Sequence, residues 1–335
     1  MIYKTTSYAR AGLIGNPSDG YFGKTIAFTF KNFKAEVHLW ESPEIQFQPG
    51  HVDDAAFPSM DRLLKDISLY GYYGGVRLLK ATAKVLIEYC NDHEIQLPRR
   101  NFTVRYRSNI PRLVGLGGSS ALCTAMFKSL LNFYEIDVPQ EIIPTLCLHA
   151  ETRELNIQAG LQDRVIQVYN GVMFMDFNEQ LVTERGYGTY SRVDPALLPY
   201  IYVAYDPDRA EVSGTYHRNL RVLFDQKDET MVEAMKTFAN LAQEANDCLL
   251  AGRKERLADI VDRNFDLRDR IFKVASSNRR MVFAARKAGA SAKFAGSGGA
   301  IVGTYDNDKT LRKLETNLKR INCRLLIPEI PLVGD

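Results

Sequence analysis

The chain has 335 residues, of which 25% are charged and 45% hydrophobic, and its formal net charge is +3 at pH 7. These values are typical of a soluble globular enzyme with well-buried cores and room for two domains. The basic residues are scattered, which excludes a nucleic-acid stripe, and no apolar run reaches the length of a membrane span. The five widely spaced cysteines show no metal or disulfide pattern, which indicates reduced core thiols in a cytoplasmic protein.

Alternating or β-branched stretches dominate the first third of the chain and predict strands. They lie at 8–14, 25–30, 35–40, 45–47 and 102–106. Lys31 and Asn32 fall between the second and third stretches and are predicted to form a hairpin turn. A helix is predicted after Gly75, with Val76 and Ile87 on its apolar face.

A loop rich in glycine and serine separates the last of these strands from a helix. It consists of Gly115, Leu116, Gly117, Gly118, Ser119, Ser120 and Ala121. Leu122, Met126 and Leu130 recur at every fourth position beyond it, so the helix is predicted to begin at the serines. A strand, a glycine-rich loop and a helix N-terminus bind phosphate, because backbone N–H groups and the helix dipole both face the anion. The alternative is a turn that merely connects two elements.

Two common nucleotide-binding loops are excluded at this position. A Walker loop ends in Gly-Lys-Ser/Thr, and the stretch from Gly115 to Ser120 contains no lysine. A dinucleotide fingerprint needs its third glycine where Ser120 stands. The loop is therefore predicted to bind phosphate in another way.

Helical and strand-like patterns alternate through the rest of the chain. Helices are predicted from Pro139 past Glu154, at about 229–250 and 254–272, up to Gly289, and at 310–319. Strands are predicted at 172–175, at 200–205, at 325–327 and on both sides of a tight loop in 292–302. Because the character of the sequence changes near Pro195, we predict two α+β domains, 1–195 and 196–335.

Four segments together resemble the motifs of the galacto-, homoserine, mevalonate and phosphomevalonate kinases, known as the GHMP kinases. Arg10 followed by 13–19 resembles the first motif of that family, and 111–121 resembles the second. Residues 293–299 resemble the third, and 160–163 match the acidic Gly-x-x-Asp segment. The resemblance implies the two-domain α+β GHMP kinase fold. Its N-terminal domain is ribosomal-protein-S5-domain-2-like, and its C-terminal domain is a ferredoxin-like α+β domain.

Longer segments are similar to a plant branch of the family that phosphorylates a sugar acid. They lie at 15–19, 72–79, 160–165 and 292–299. This similarity implies transfer of the γ-phosphate of ATP to the anomeric hydroxyl of D-glucuronate, with ATP and Mg²⁺ required. The small net charge and the scattered basic residues predict no nucleic-acid or membrane partner, and we expect a monomer or homodimer. A kinase for another sugar or uronic acid, or a relative that senses a sugar without catalysis, stays open.

The family resemblance also implies the residues that hold the metal. Ser119 and Glu151 match the metal ligands of the family. Gly118 stands at the first serine position of the family loop, which makes Ser120 the second choice. Glu151 could instead be an ordinary exposed helix acid.

Two further residues match catalytic positions of the family. Asp163 matches the base at the acceptor hydroxyl, and Arg10 matches a cation between the acceptor and the γ-phosphate. Asp163 could instead pair with Arg164, and Arg10 could extend outward from a strand edge. Lys293, at the start of the third motif, could merely flank its turn.

The predicted substrate contacts combine a sugar-binding acid with a carboxylate-binding arginine. Asp19 matches the sugar-contacting acid of galactokinases. Arg77 follows the turn Tyr72-Tyr73-Gly74-Gly75, whose hydroxyls could bind sugar oxygens and whose glycines could let backbone approach the ligand. Arg112 and Arg164 are the alternatives for the carboxylate. The third glycine-rich loop completes this set with Gly296, Ser297 and Gly298.

Overall fold

The structure, a computed structural model, describes residues 1–49, 74–208, 221–272 and 274–332. Its strands are β1 (Ile2–Ile14), β2 (Lys24–Ser42), β3 (Gln46–Gln48), β4 (Asn101–Ser108), β5 (Val172–Asp176), β6 (Thr189–Arg192), β7 (Ile201–Tyr205), β8 (Lys293–Phe294), β9 (Ala300–Thr304) and β10 (Arg324–Leu326). Its main helices are α1 (Gly75–Asp92), α2 (Gly118–Tyr134), α3 (Ile143–Thr152), α4 (Leu161–Tyr169), α5 (Glu179–Arg185), α6 (Glu229–Leu250), α7 (Leu257–Ile271), α8 (Ser276–Lys287) and α9 (Asp308–Lys319). The predicted substrate contact Tyr72 lies outside the described residues.

The chain divides into two compact units, and each is assembled from separated segments. The first unit contains Met1–Ala9, Phe33–Ile110 and Gly117–Val168, and the second contains Arg10–Asn32, Pro111–Leu116 and Tyr169–Asp335. The sequence pattern predicted two contiguous domains, 1–195 and 196–335. Strands β1 and β2 each contribute residues to both units, so no single position in the sequence separates them.

The first unit is built on β4 and the C-terminal half of β2. Strand β4 pairs antiparallel with residues 35–42 of β2 and parallel with β3. The alternation along β4 buries Phe102, Val104 and Tyr106, as the sequence predicted. Helices α1, α2 and α3 pack against one another, and α1 and α2 also contact β3 and β4 respectively. This packing fixes the position of the N-terminus of α2.

The second unit contains two groups of paired strands in its described residues. Strand β5 pairs antiparallel with residues 24–28 of β2 and with β6. Strand β7 lies between β10 and β9, and β9 also pairs with β8, always antiparallel. An apolar cluster joins this second group to α7, α8 and α9. The turn between β8 and β9 carries the third glycine-rich loop.

The predicted hairpin at Lys31 and Asn32 is wrong, because β2 runs unbroken from Lys24 to Ser42. The Lys31 N–H donates to the Glu329 carbonyl at 2.8 Å, and the Glu329 N–H donates to Asn32 Oδ1 at 2.9 Å. These bonds occupy polar groups that would otherwise favour a turn, so the backbone stays extended. The partner lies 297 residues away in sequence, which a local pattern does not reveal.

Two helix predictions also need correction. Ile87, predicted on the apolar face of α1, is 45% exposed, whereas Thr82 is fully buried. The Thr82 hydroxyl donates to the Leu78 carbonyl at 2.8 Å, and a threonine satisfied in this way can occupy an apolar face. Helix α3 begins at Ile143 rather than at Pro139, because a turn precedes it.

The cysteines agree with the prediction made from their number and spacing. All five cysteines are free and buried, as expected for core thiols. Among the helices in the described ranges, none combines the length and apolar character that crossing a bilayer requires.

Candidate active site

The predicted phosphate-binding loop, Gly115–Ala121, leads into α2 as the sequence indicated, and we call it the helix-start loop. Gly117 caps the helix in the left-handed region with φ of 75°, a conformation that glycine adopts without strain. The Ser120 hydroxyl is buried and donates to the Gly117 carbonyl at 3.1 Å. Ser119 is only partly buried and makes no hydrogen bond of that kind within the described residues. Of the two serines, Ser119 therefore has the more available hydroxyl.

Gln167 supports the N-terminus of α2 through hydrogen bonds to the backbone. Its side chain is fully buried, and Nε2 donates to the carbonyls of Gly117 at 2.8 Å and Tyr8 at 3.0 Å. Sequence reasoning missed both Gln167 and its helix α4. The apolar residues Leu161, Val165 and Val168 recur at helical spacing and could have revealed that helix.

Glu151 lies near the C-terminal end of α3 and is completely buried, so the interpretation as an exposed helix acid is wrong. Arg164 Nε donates to Glu151 Oε2 at 2.9 Å, and Nη2 contacts the same oxygen. Arg164 is itself buried, and its Nη1 donates to the Gly160 carbonyl at 2.9 Å. Burial alone would lower the pKa of Arg164, but the charges of Glu151 and Asp163 outweigh it and raise that pKa. Because its guanidinium is bound to Glu151, we no longer consider Arg164 a candidate for binding the substrate carboxylate.

The second carboxylate oxygen of Glu151 allows a test of the implied magnesium ion. Oε1 is buried and has no hydrogen-bond partner among the described residues. Leaving a charged oxygen unpaired is costly, and an oxygen ligand of this kind suits a hard cation. The described ranges hold no group of three or more His, Cys, Asp or Glu side chains placed for a metal. The unpaired Oε1 of Glu151 fits Mg²⁺, which commonly takes one or two protein oxygens and completes its shell with phosphate and water.

Asp163 lies in the first turn of α4, where the helix dipole favours a negative charge. Its Oδ2 lies 3.7 Å from Arg164 Nη1, and Oδ1 accepts from Gln162 Nε2 at 3.4 Å. The Asp163 side chain retains 19% exposure, unlike the buried Glu151. Arg164 therefore links the predicted metal ligand and the predicted base within the first unit.

Arg10 connects two loops of the second unit instead of extending from a strand edge. It is 5% exposed, and its Nη1 donates to the carbonyls of Gly115 at 2.5 Å and Ala295 at 3.2 Å. Its backbone N–H donates to the Leu116 carbonyl at 3.1 Å. Arg10 thus holds the beginning of the helix-start loop against the end of β8.

Gly296, Ser297 and Gly298, which we call the C-terminal loop, approach Gly115 backbone to backbone. A Cβ on Gly296 would lie 2.3 Å from the Gly115 carbonyl oxygen. A Cβ on Gly115, whose φ is 71°, would lie 2.7 Å from the Gly298 carbonyl oxygen. Glycine at 115 and 296 is therefore required by the contact between the two loops.

Lys293 does more than flank this turn. Its ammonium group is buried and donates to the carbonyls of Gly12 at 2.6 Å and Phe294 at 2.8 Å, and to Asn16 Oδ1. Burial, followed by the charges of two nearby arginines, holds the pKa of Lys293 well below its ordinary value. Lys293 therefore fixes the first motif to the strand that leads into the C-terminal loop.

Arg268, on α7, is a buried residue of this region that sequence reasoning missed. Its Nη1 and Nη2 donate to the carbonyls of Gly296 and Ser297, each at 3.0 Å. The guanidinium also lies 4.9 Å from the ring centroid of Phe294. The signal available in the sequence was an arginine three positions after the apolar Phe265, on the inward side of the helix.

The remaining predicted substrate contacts belong to both units. Asp19 lies in a short 3₁₀ turn of the second unit and is partly exposed. Arg77 lies in the first turn of α1 in the first unit, also partly exposed, and Arg112 is partly exposed in the second. A Cβ on Gly75 would lie 2.2 Å from the Tyr106 ring, so glycine at this position allows close packing in the core, and an approach of ligand to its backbone stays a prediction.

Comparison with known proteins identifies the family to which the chain belongs. Residues 77–171 match the family described as the GHMP kinases N terminal domain. The structure resembles a galactokinase from Lactococcus lactis complexed with galactose, with a TM-score of 0.78 and 14% identity over 98% of this chain and 93% of that one. It also resembles a Streptococcus pneumoniae phosphomevalonate kinase in complex with phosphomevalonate and AMPPNP, with a TM-score of 0.74 and 16% identity over 99% and 100% of the two chains.

The chain belongs to the GHMP kinase family and has its two-domain α+β fold, as the motifs predicted. Two plant relatives sharpen this classification. Glucuronokinase 1 of Arabidopsis thaliana is 42% identical over 302 residues, which cover 88% of this chain and 83% of that protein. Probable glucuronokinase 2 of the same plant is 43% identical over 308 residues, which cover 90% and 84%.

Proposed function

We propose that the protein is an ATP-dependent kinase that transfers the γ-phosphate to the anomeric hydroxyl of D-glucuronate. The observation that carries this proposal is the identity of 42% and 43% to two plant glucuronokinases across 88% and 90% of the chain. Phosphoryl transfer needs a phosphate-binding loop, a metal, a fixed cation and a group that orients the acceptor hydroxyl. Residues suited to each of these tasks are present in the described part of the chain.

The helix-start loop is proposed to bind the nucleotide phosphates. The first-turn N–H groups of α2 lack partners within their own helix, and the helix dipole adds a partial positive charge. When bound, Mg²⁺ neutralises charge on the β- and γ-phosphate oxygens. Ser119 and Glu151 would hold it, and the orphan Oε1 of Glu151 and the available Ser119 hydroxyl support this assignment.

Asp163 is proposed to accept the proton of the anomeric hydroxyl as that oxygen attacks the γ-phosphorus and ADP leaves. Its partial exposure and its contact with Arg164 support a carboxylate that is both reachable and held in place. Arg10 is proposed to offset charge on the transferred group. Its burial and its bonds to the carbonyls of Gly115 and Ala295 support a fixed cation.

The sugar acid is proposed to contact Asp19 through its ring hydroxyls and one arginine through its carboxylate. Arg77 and Arg112 are the partly exposed candidates for that arginine. Tyr72 keeps its proposed role as a donor to a sugar oxygen. The enzyme is further proposed to work in the cytoplasm as a monomer or homodimer.

The proposal is tested by measuring kcat/KM with Mg-ATP and a panel of glucuronate, galacturonate, glucose and galactose. We expect glucuronate to be the preferred substrate, and the neutral sugars to react at least tenfold less well, because they leave the carboxylate-binding group unpaired. Preference for another sugar would reassign the substrate. Tight ATP binding without turnover of any sugar would instead support a sensor.

A further inference from the structure

Helix α8 carries four basic residues, of which two are paired with acids and two are not. Arg279 and Arg286 form ion pairs with aspartates of α7 at nitrogen–oxygen distances of 2.6 Å and 2.7 Å. Arg280 and Lys287 are exposed and form no ion pair with any residue that the structure describes. They lie seven positions apart, close to two turns of an α-helix, and therefore share one face. Helix α8 contains no acidic residue that could neutralise them.

Helix α9 adds three unpaired basic residues to the same side of the second unit. Lys309, Lys313 and Arg320 are exposed and form no ion pair within the described ranges. Their spacing of four and seven positions places them on one face of the helix and its C-terminal cap. Asn317 lies on that face, and its Nδ2 donates to the Ala284 carbonyl of α8 at 3.1 Å. The basic side of α9 therefore lies beside α8.

The acidic residues of α9 point in another direction. At about 100° per residue, Asp308 and Glu315 lie about 140° and about 200° around the helix from Lys313. On α8, Phe283 falls between the two unpaired cations and is 52% exposed. The two helices thus form a surface with five cations, one exposed aromatic ring and no carboxylate from either helix. We call it the basic face, and it consists of Arg280, Phe283, Lys287, Lys309, Lys313 and Arg320.

The charge and the size of the basic face limit what can cover it. Its five cations exceed the formal net charge of +3 of the whole chain. Each helix has 12 residues, so the pair offers a surface of roughly 18 Å by 20 Å, about half of what one partner contributes to a standard interface. A twofold dimer through this face would place five cations against five cations. These facts favour a short acidic segment over a second copy of the chain.

The arrangement of the cations favours a helical segment. Arg280 and Lys287 are separated by about 10.5 Å along α8, and Lys313 and Arg320 by the same distance along α9. Carboxylates seven positions apart on a partner helix have this spacing, and an apolar residue between them would face Phe283. A nucleic acid would contact the cations through phosphates and leave the ring uncovered. A helix that lies in a bilayer interface presents several large apolar residues, whereas the basic face has one.

We propose that the basic face binds a short acidic helix of a partner protein, with carboxylates on the cations of α8 and α9 and an apolar side chain on Phe283. Because exposed charges hold most of the contact, its affinity should be modest and should fall as salt is added. None of these six residues has a proposed part in the kinase reaction. Binding and turnover can therefore be measured independently.

The direct test is fluorescence anisotropy of the whole protein with a labelled, alanine-rich helical peptide of about 15 residues. The peptide carries pairs of glutamates seven positions apart and a leucine between them. The comparison ligands are a peptide of the same composition in shuffled order, a labelled DNA duplex and vesicles containing phosphatidylserine. We expect the ordered peptide to bind about tenfold more tightly than the shuffled one. Equal affinity of the two peptides, or tighter binding of DNA or vesicles, would overturn the proposal.

Variants of exposed residues locate the contact on the protein. Lys287→Glu combined with Lys313→Glu should weaken peptide binding at least about tenfold, since two attractions become repulsions. The matched control is Arg253→Glu combined with Lys254→Glu, an equal charge change at exposed positions between α6 and α7, and it should alter the affinity less than about twofold. Equal losses in the two double variants would reflect net charge alone and would overturn the proposal.

Phe283→Ser tests the apolar part of the contact and provides an answer if the first double variant fails to fold. Removal of the exposed ring should weaken binding of the ordered peptide severalfold. It should leave binding of the shuffled peptide unchanged. Circular dichroism checks that each variant is folded. Unchanged affinity of a folded Phe283→Ser protein for the ordered peptide would contradict the proposal.

Discussion

The helix-start loop and the C-terminal loop are both rich in glycine, but different parts of the chain hold them in place. The helix-start loop leads into α2 and has a partly exposed hydroxyl at Ser119. The C-terminal loop lies outside any helix and depends on buried cations, among them Lys293 and Arg268. The helix-start loop continues into a regular helix and is also held by Arg10 and Gln167. The C-terminal loop has no helix behind it and is held by Arg10 and Arg268.

The largest expected effect concerns Asp163, the proposed base, which lies in the first unit. Asp163→Asn should lower kcat by about 10²–10⁴, because the amide cannot accept the proton of the acceptor hydroxyl. The dissociation constant for Mg-ATP, measured by calorimetry, should change by less than about twofold. Asp92→Asn, at an exposed position of α1, is the matched control and should retain wild-type kcat. Near-normal turnover in the Asp163 variant would remove this residue from the mechanism.

The next prediction decides whether a side chain or the C-terminal loop recognises the carboxylate. If Arg77 binds it, Arg77→Ala should raise KM for glucuronate by about ten- to a hundredfold and narrow the preference over glucose. Steady-state kinetics with both sugars in Arg77→Ala and Arg112→Ala measure this. A ratio of kcat/KM values unchanged in both variants would rule out both arginines and leave recognition to the C-terminal loop.

A pair of glycine variants compares the two loops through stability. In Gly296→Ala the new methyl would lie 2.3 Å from the Gly115 carbonyl oxygen, and such overpacking costs about 1–3 kcal/mol. In Gly118→Ala the nearest atom is Ile110 Cγ2 at 3.6 Å, an ordinary contact, so stability should change by less than about 0.5 kcal/mol. Urea unfolding measures both, and Gly20→Ala, with nothing within 4 Å, is the control. Equal losses of stability in Gly118→Ala and Gly296→Ala would contradict the difference expected between the two loops.

A smaller effect should separate the two serines of the helix-start loop. Ser119→Ala should raise the Mg²⁺ concentration needed for half-maximal activity severalfold, because a hard cation loses an oxygen ligand. Ser120→Ala is the matched control, since its hydroxyl already donates to the Gly117 carbonyl. A larger defect in Ser120→Ala would reverse the assignment. Glu151→Gln is less informative here, because it would leave the buried Arg164 without its partner charge.

The smallest effect is a pH dependence in α3, the helix that carries Glu151. Burial, followed by the charge of Arg153, lowers the pKa of His149 from 6.5 to about 4. Between these values the unfolded chain binds more protons than the folded one, so stability falls as pH falls from 6.5 toward 4. Well above pH 6.5 His149 is neutral in both states and contributes nothing to this slope. In His149→Gln, urea unfolding should show a shallower loss of stability from pH 7 to 5, and an identical loss would contradict the assignment.

The contrast between the loops also explains what could be predicted from the sequence. The helix-start loop was found because Leu122, Met126 and Leu130 mark the helix that follows it, and such periodicity is local. The hydrogen bonds from Arg268 to the C-terminal loop could not be predicted in this way. Arg268 lies 28 residues before Gly296, and it binds carbonyl groups, which carry no sequence signal. The unbroken course of β2 was missed for the same reason, since Glu329 holds it extended.

The burial of Glu151 and its pairing with Arg164 were likewise hidden from the sequence. The sequence favoured an exposed helix acid or, by family resemblance, a metal ligand, and it offered Arg164 as a partner for Asp163 or the substrate. In the structure Arg164 contacts Glu151 first and lies 3.7 Å from Asp163. Helix α4 supplies Asp163 and Arg164, and Glu151 comes from α3. Because α4 was not predicted, the contact of Arg164 with both carboxylates could not be recognised.

The proposed reaction is tested most directly by identifying its product with ³¹P NMR. The protein is incubated with Mg-ATP and glucuronate, and in parallel with the methyl glycoside of glucuronate, whose anomeric hydroxyl is blocked. We predict a new phosphate monoester coupled to the anomeric proton, formed as ATP becomes ADP, and no product from the methyl glycoside. A phosphate on any other hydroxyl, or turnover of the methyl glycoside, would contradict phosphorylation at the anomeric position.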